Sequence, residues 1–100
     1  MERFTEPALL LVLREQPTHG YDLLERLPEL TGESRVEMGN LYRLLRALEE
    51  EGLVTSEWSD GKRTYAITER GSELLDQWVE ALRSSQERTQ RFIDRYEERR

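Results

Sequence analysis

The chain contains no cysteine, and this absence excludes disulfides and thiolate metal sites. A chain without thiols suits a reducing compartment. Its single histidine, His19, has no Ser-Asp arrangement that would make it catalytic and none of the further ligands that a metal needs. A glycine-rich phosphate loop of the required spacing is also missing. We therefore expect no metal site and no cofactor, and an enzyme is the least supported function.

Long apolar runs are missing too. No stretch reaches the roughly 18 apolar residues of a membrane span, and residues 1–7 lack the basic start and apolar core of a secretory signal. We expect a cytoplasmic protein with no membrane partner. At 100 residues and 36% apolar content, the chain suits one small folding unit that a partner chain would help to bury.

Positive charge is in the minority, because 15 Lys and Arg stand against 21 Asp and Glu, a net charge of −6. A strongly basic surface is the usual signature of a nucleic-acid-binding protein, so this balance argues against indiscriminate binding. The distribution of the charges therefore decides whether a selective nucleic-acid site exists.

Apolar patterning predicts a mainly helical fold. Residues 8–13 are apolar on every side, which indicates a buried first helix capped by Thr5 and ending near Glu15. A second helix is predicted to begin at the cap Thr18 and to be kinked or ended by Pro28. Its apolar stripe comprises Tyr21, Leu23, Leu24 and Leu27, with Tyr21 as a core anchor.

The third predicted helix, residues 38–51, has two distinct faces and stops at Gly52. Its apolar side carries Leu41, Leu44, Leu45 and Leu48. Arg43 and Arg46 lie on the opposite side, with Asn40 and Tyr42 on the flanks.

A β-hairpin follows, because residues 53–58 and 63–68 are rich in β-branched and aromatic side chains and flank an Asp60-Gly61 turn. Lys62 and Arg63 are predicted at its tip. A basic-faced helix followed by a basic-tipped ribbon is typical of a duplex reader, since the major groove admits a helix and the neighbouring backbone or minor groove admits a narrow wing. The predicted fold is mainly α with a small β-hairpin, a winged helix-turn-helix plus a long C-terminal helix.

The last predicted helix begins after the cap Thr68 and is nearly 30 residues, roughly 40 Å, long. A core this small cannot cover that length, so we expect another copy of the chain to cover part of it. Ser85 and Thr89 weaken the centre of the predicted seam. The predicted dimerisation residues are Leu75, Trp78, Leu82, Phe92, Ile93 and Tyr96. We divide the chain into residues 1–71, a DNA-binding unit, and 72–100, a dimerisation helix.

Four motifs in this order resemble the PadR family of bacterial and archaeal transcriptional regulators. They are His-Gly-Tyr-Asp at 19–22, Gly-Asn-Leu-Tyr at 39–42, Leu-Glu-Glu-Glu-Gly-Leu-Val at 48–54 and Tyr-Ala-Ile-Thr-Glu-Arg-Gly at 65–71. The single long C-terminal helix resembles the short subgroup, whose members dimerise through it. The resemblance implies a third helix in the major groove, a wing on the backbone or minor groove, and dimers that read two half-sites. Glu37 and Met38 depart from the family's common Ser or Asp and Pro.

The candidate DNA-binding residues are Asn40, Tyr42, Arg43, Arg46, Lys62 and Arg63, with Arg35 as a secondary candidate. The alternative for each arginine is an ion pair one turn away on its own helix. Arg46 has Glu49 and Glu50 within that reach, whereas Arg43 has neither, so Arg43 is predicted to be the freer. For Tyr42 the alternative is a half-buried ring that supports the wing.

Trp78 has two open interpretations. Its ring either fills the dimer interface or contacts a small aromatic effector, because PadR-like regulators often respond to small aromatic or cationic compounds. The predicted function is a homodimeric, sequence-specific DNA-binding regulator that represses transcription at a promoter. The main rival is a winged helix used as a protein-interaction module without DNA, which the net negative charge and Glu37 support.

Overall fold

The structure, a computed structural model, describes residues 5–32 and 37–99 and is mainly helical. Its elements are α1 (Thr5–Glu15), β1 (Thr18–His19), α2 (Gly20–Thr31), α3 (Met38–Glu50), β2 (Val54–Ser59), β3 (Lys62–Ile67) and α4 (Glu69–Glu98). The strands form one antiparallel sheet in the order β1-β3-β2. Within the described ranges, no helix is long and apolar enough to cross a membrane. The predicted fold class, mainly α with a small hairpin, is confirmed.

Helix α1 forms the centre of the core, as its apolar sequence predicts. Leu9, Leu10 and Leu13 are at most 1% exposed, and the helix packs against α2, α4 and β3. Leu11 is the exception, with 36% of its surface exposed. Full burial of a leucine stabilises a fold by about 1.5–3 kcal/mol, so the buried leucines of α1 contribute substantially to the stability of this small core.

Helix α2 begins one residue later than predicted. Thr18 pairs with Tyr65 in the sheet, and the N-cap is His19, whose Nδ1 accepts a hydrogen bond from the Asp22 backbone N–H at 3.3 Å. The Thr18 hydroxyl instead donates to the Asp22 carboxylate at 2.9 Å. The prediction was wrong because the backbone of Thr18 is used by β1, a strand too short to leave a periodic signal.

The predicted role of Tyr21 needs correction, and one of the two alternatives predicted for Pro28 is excluded. Tyr21 is 64% exposed and is not a core anchor. At about 100° per residue it lies roughly 200° around the helix from Leu23, which is fully buried. Pro28 does not end the helix, which continues to Thr31 and closes at Gly32 in the left-handed region, with φ 78°.

Two glycine-containing turns define the ends of the hairpin region. At the end of α3, Gly52 has φ 81° and its N–H donates to the Glu49 carbonyl, while the Leu53 N–H donates to the Leu48 carbonyl. This is the Schellman arrangement, and it confirms Gly52 as the stop. Asp60 and Gly61 both have positive φ, 52° and 76°, as the tight two-residue hairpin turn requires.

Helix α4 is anchored at its start and exposed over most of its length. The Thr68 hydroxyl accepts from the Gly71 N–H at 3.0 Å and donates to the Gly52 carbonyl at 2.7 Å, which confirms the predicted cap. Arg14 of α1 donates to the carboxylate of Asp76 at 3.1 Å. Every residue from 81 to 99 is exposed, as expected of a helix longer than the core.

Leu75 is a correction to the predicted dimerisation set. It is 4% exposed and packs in the protein's own core, so its side chain is not available to a partner. Of the other five residues, Trp78 is partly buried, and Leu82, Phe92, Ile93 and Tyr96 are exposed.

Candidate nucleic-acid interface

The outward face of α3 is polar and exposed because three leucines hold the opposite face in the core. Leu41, Leu45 and Leu48 are at most 1% exposed. The helix therefore presents its other side to solvent. The exposed residues of this side include Asn40, Tyr42, Arg43 and Arg46.

Arg43 was predicted to be the freer of the two arginines on this face, and the structure shows the reverse. The Arg43 guanidinium donates to the Asn40 side-chain carbonyl one turn earlier on the same helix. Arg46, by contrast, forms no hydrogen bond or ion pair within the part of the chain that the structure describes. Glu49, one of the two carboxylates within reach of Arg46 on its own helix, accepts a bond from the Ser56 hydroxyl at 3.0 Å. Arg46 is thus the freer cation, and Arg43 is held with Asn40 as a pair.

Arg63 connects the wing to α3 through hydrogen bonds. Its Nη1 donates to the Ser56 hydroxyl at 2.9 Å, and that hydroxyl donates in turn to Glu49. The guanidinium also lies 5.1 Å from the centroid of the Trp58 ring, within the range of a cation–π contact. We call Arg63, Ser56 and Glu49 the wing chain. The Arg63 guanidinium is therefore already hydrogen-bonded within the protein. Lys62 is exposed and forms no hydrogen bond or ion pair with residues 5–32 or 37–99.

A cleft of about 640 Å³ separates the wing from α3 and the start of α2. Among its lining residues are Tyr21, Tyr42, Arg46, Trp58, Lys62 and Tyr65. We call it the wing cleft. The predicted residues Tyr42, Arg46, Lys62 and Arg63 all line it, whereas Asn40 and Arg43 do not.

His19, Tyr21 and Trp58 are among the lining residues that were not predicted as site residues. The start of α2 is distant from the wing along the chain, and β1 joins the two through its pairing with β3. The sequence pattern gave no signal for Tyr21, because it placed this residue on the apolar stripe of α2, whereas the structure leaves it 64% exposed.

Tyr42 reaches the start of α2 because residue 20 is glycine. A Cβ atom at Gly20 would lie 2.8 Å from the Tyr42 hydroxyl oxygen, closer than real contacts allow. The ring therefore packs on the backbone of α2 while 42% of the residue stays exposed. This agrees with the predicted close packing at Gly20, whereas the alternative considered for Tyr42 placed its half-buried ring against the wing.

Tyr65 forms the floor of the wing cleft and is 5% exposed. Burial raises its pKa above 10, and the nearby Tyr42 and Glu49 act in the same direction, while Arg63 and Arg46 oppose it. The ring therefore stays a neutral phenol at neutral pH and adds no negative charge to the cleft.

Two further predictions concern Arg35 and the expected absence of a metal site. Arg35 lies among residues 33–36, outside the described residues. Across residues 5–32 and 37–99 no group of three or more acidic or imidazole side chains is placed to hold a metal ion.

Comparison with known proteins identifies the family. Residues 9–77 match the model of the transcriptional regulator PadR-like family. The transcriptional regulator YqjI of Escherichia coli K12 is 33% identical over 82 residues, which are 80% of this chain and 40% of that relative. The chain thus spans less than half the length of that relative.

Solved structures support the same assignment. A PadR family transcription regulator from Clostridium difficile R20291 superposes with a TM-score of 0.81 over 91% of this chain and 99% of that one, and its 18% identity makes this evidence of fold alone. Bacillus subtilis PadR, solved in complex with operator DNA, has a TM-score of 0.68 and 28% identity over 77% of this chain and 47% of that one. The family consists of transcriptional regulators, in agreement with the prediction of a regulator rather than an enzyme. This chain belongs to the PadR-like family of transcriptional regulators.

Proposed function

We propose that the chain is a sequence-specific DNA-binding repressor that acts as a homodimer at a promoter. The observation that carries the proposal is the grouping of exposed donors on α3 and the wing of a chain whose net charge is −6. These donors form one surface of a winged helix. Bacillus subtilis PadR, a relative of the same fold, has been solved in complex with operator DNA.

The contacts divide into two kinds. The Arg43 guanidinium and the Asn40 amide are hydrogen-bonded to each other, and both side-chain types are suited to base edges in the major groove. Arg46 and Lys62, which have no partner among the described residues, are suited to phosphates. Arg63 can contact a phosphate only if its hydrogen bond to Ser56 breaks. Arg35 remains a secondary candidate.

The proposed dimer forms through residues 72–100, leaving 1–71 to bind DNA. Five large apolar side chains on α4 are exposed in the single chain, which is the observation that favours a partner. They are Val79 at 36%, Leu82 at 38%, Phe92 at 75%, Ile93 at 39% and Tyr96 at 62%. A two-fold dimer would place the two α3 helices in successive major grooves about 34 Å apart. Trp78, partly buried, then packs at the interface or contacts a small aromatic effector.

Selection of bound fragments from a random duplex pool tests this function. The expected result is an enriched sequence with two inverted half-sites. Arg43→Ala should then relax the preference at one base pair in each half-site, with a loss of about 1–3 kcal/mol in discrimination. Equal binding of all duplexes by both proteins would contradict base reading. No duplex binding even at low salt would favour the protein-interaction module.

A further inference from the structure

The wing cleft collects polar donors that are unused within the protein. Tyr21, Tyr42, Arg46 and Lys62 line it, and they carry two phenol hydroxyls, a guanidinium and an ammonium. None of these groups has a hydrogen bond or an ion pair in the described part of the chain. Two of the four residues lie outside α3, since Tyr21 belongs to α2 and Lys62 to β3. Several elements therefore form the cleft together.

The charge of the wing cleft is opposite to that of the whole protein. Arg46, Lys62 and Arg63 line it, and Glu49 is its one acidic lining residue. The Glu49 carboxylate already accepts the Ser56 hydroxyl. The acidic residue in the first turn of α2, Asp22, is not among the lining residues, and its carboxylate accepts bonds from Thr18 and Arg26. The cleft therefore carries excess positive charge with few acceptors left.

His19 adds one more donor. Its Nδ1 accepts the Asp22 backbone N–H, so the neutral imidazole carries its proton on Nε2. The ring lines the wing cleft beside Tyr21. The cap of α2 thus determines which nitrogen of this histidine is a donor.

We propose that the wing cleft binds one backbone phosphate of the DNA in each half-site, with Tyr21 and His19 of α2 as ligands beside Tyr42, Arg46 and Lys62. A phosphodiester fits because it is anionic and offers several acceptor oxygens to the donors that α2, α3 and the wing contribute to the cleft. The flat ring of Trp58, 66% exposed, lies on the same cleft and covers the apolar side of the adjoining deoxyribose. This inference rests on the proposed DNA binding and adds α2 to the contact surface.

Tyr21→Phe tests the phenol, because it removes one hydroxyl from an exposed residue. On a duplex obtained by selection, we expect roughly tenfold weaker binding at unchanged salt dependence, since the hydroxyl that is removed is a neutral donor. The reduction should be equal on unrelated duplexes, because a phosphate contact carries no sequence information. Thr55→Val, which removes an exposed hydroxyl on the other face of β2, should bind as the unmodified protein does.

His19→Asp tests the imidazole without removing the cap, since aspartate is a strongly preferred N-cap residue. Thermal unfolding should therefore stay close to that of the unmodified protein. Binding should fall at least tenfold, because a carboxylate then faces the phosphate. Unchanged affinity in a protein that unfolds normally would remove His19 from the site.

A methylphosphonate scan identifies the phosphate itself. Neutral methylphosphonates replace the phosphates of the selected duplex one position at a time, and each duplex is titrated with the unmodified protein, Tyr21→Phe and Arg46→Gln. We expect one position per half-site at which both substitutions lose their effect. Effects that map to different positions, or a Tyr21→Phe protein that binds the native duplex normally, would overturn the inference. An unmodified protein that binds no duplex would instead overturn the proposed function.

Discussion

The partner of each arginine determines what that side chain can offer to DNA. Spacing along α3 correctly identified the exposed face, because helical periodicity depends only on the leucines opposite. The same spacing offered an ion pair with Glu49 or Glu50 as the alternative to a DNA contact for Arg46, and neither pair is present among the described residues. Glu49 is bonded to Ser56, a residue of β2, and no local rule anticipates a competitor from another element.

Lys62→Ala should flatten the dependence of log affinity on log salt concentration by about 0.9, because the protein then neutralises one phosphate fewer. Its unpaired, exposed ammonium gives no reason for a large change in stability. Titration of one duplex at several salt concentrations measures the slope. Arg83→Ala is the matched control, because Arg83 is an exposed cation on α4 that is paired with Glu80. An unchanged slope for Lys62→Ala would exclude it from the phosphate contacts.

Glu6→Gln should make the fold more stable at neutral pH. Partial burial, followed by the charge of Glu51, raises the pKa of Glu6 above 4.5, so the ionised form is disfavoured in the folded chain. Stability from a raised carboxyl pKa is fully present below the unfolded value and is lost as pH rises through the folded value. The gain should be a few tenths of a kcal/mol, because solvent screens a partly exposed group. Urea unfolding at pH 7 and at pH 4 measures it, and an equal gain at both would contradict this cause.

Among the secondary-structure elements, those with a strong local sequence signal were predicted correctly, and the strand with a weak signal was missed. Asp60-Gly61 predicted the hairpin and Gly52 predicted the end of α3, because each turn requires positive φ. The strand β1, Thr18–His19, gave no signal, since two residues cannot show alternation. Its omission displaced the start of α2 and hid the contribution of His19 and Tyr21 to the wing cleft.

Gly71→Ala should destabilise the junction between the wing and α4 severely. A Cβ at this position would lie 2.1 Å from the Leu53 carbonyl oxygen, which is backbone and cannot rotate away. We expect a loss of roughly 3 kcal/mol or more, comparable to overpacking in a core. Thermal unfolding is the measurement. Gly39→Ala is the matched control: nothing lies within 4 Å of its Cβ, and alanine in α3 should stabilise by about 0.5–1 kcal/mol.

The whole molecule extends over 60 × 28 × 20 Å because α4 projects beyond the core. Apolar residues at spacings of three and four predicted the length of this helix and an exposed seam. Leu75 was wrongly placed in that seam, because the same periodicity continues into the part of α4 that packs on the core. Periodicity alone does not show where a helix leaves its own domain.

Phe92→Glu should shift the protein towards monomers. Phe92 is 75% exposed in the single chain, so the change has little effect on the fold, but a carboxylate in an apolar dimer seam is costly. Sedimentation should show the shift, and affinity for a two-half-site duplex should fall at least tenfold. Ser84→Glu places the same charge away from the seam, beside Arg88, and should remain dimeric. A Phe92→Glu protein that is still dimeric would place the interface elsewhere.

The contact between Thr68 and the end of α3 has a mechanical consequence. The Thr68 N–H donates to the Leu53 carbonyl at 3.0 Å and its hydroxyl donates to the Gly52 carbonyl, while Gly71 lies against the same backbone. The start of α4 is therefore joined to the end of α3 with no flexible loop between them. A helix of 30 residues, about 45 Å at 1.5 Å per residue, then acts as a lever on this joint. A tilt of α4 at this joint would therefore act directly on the backbone that ends α3.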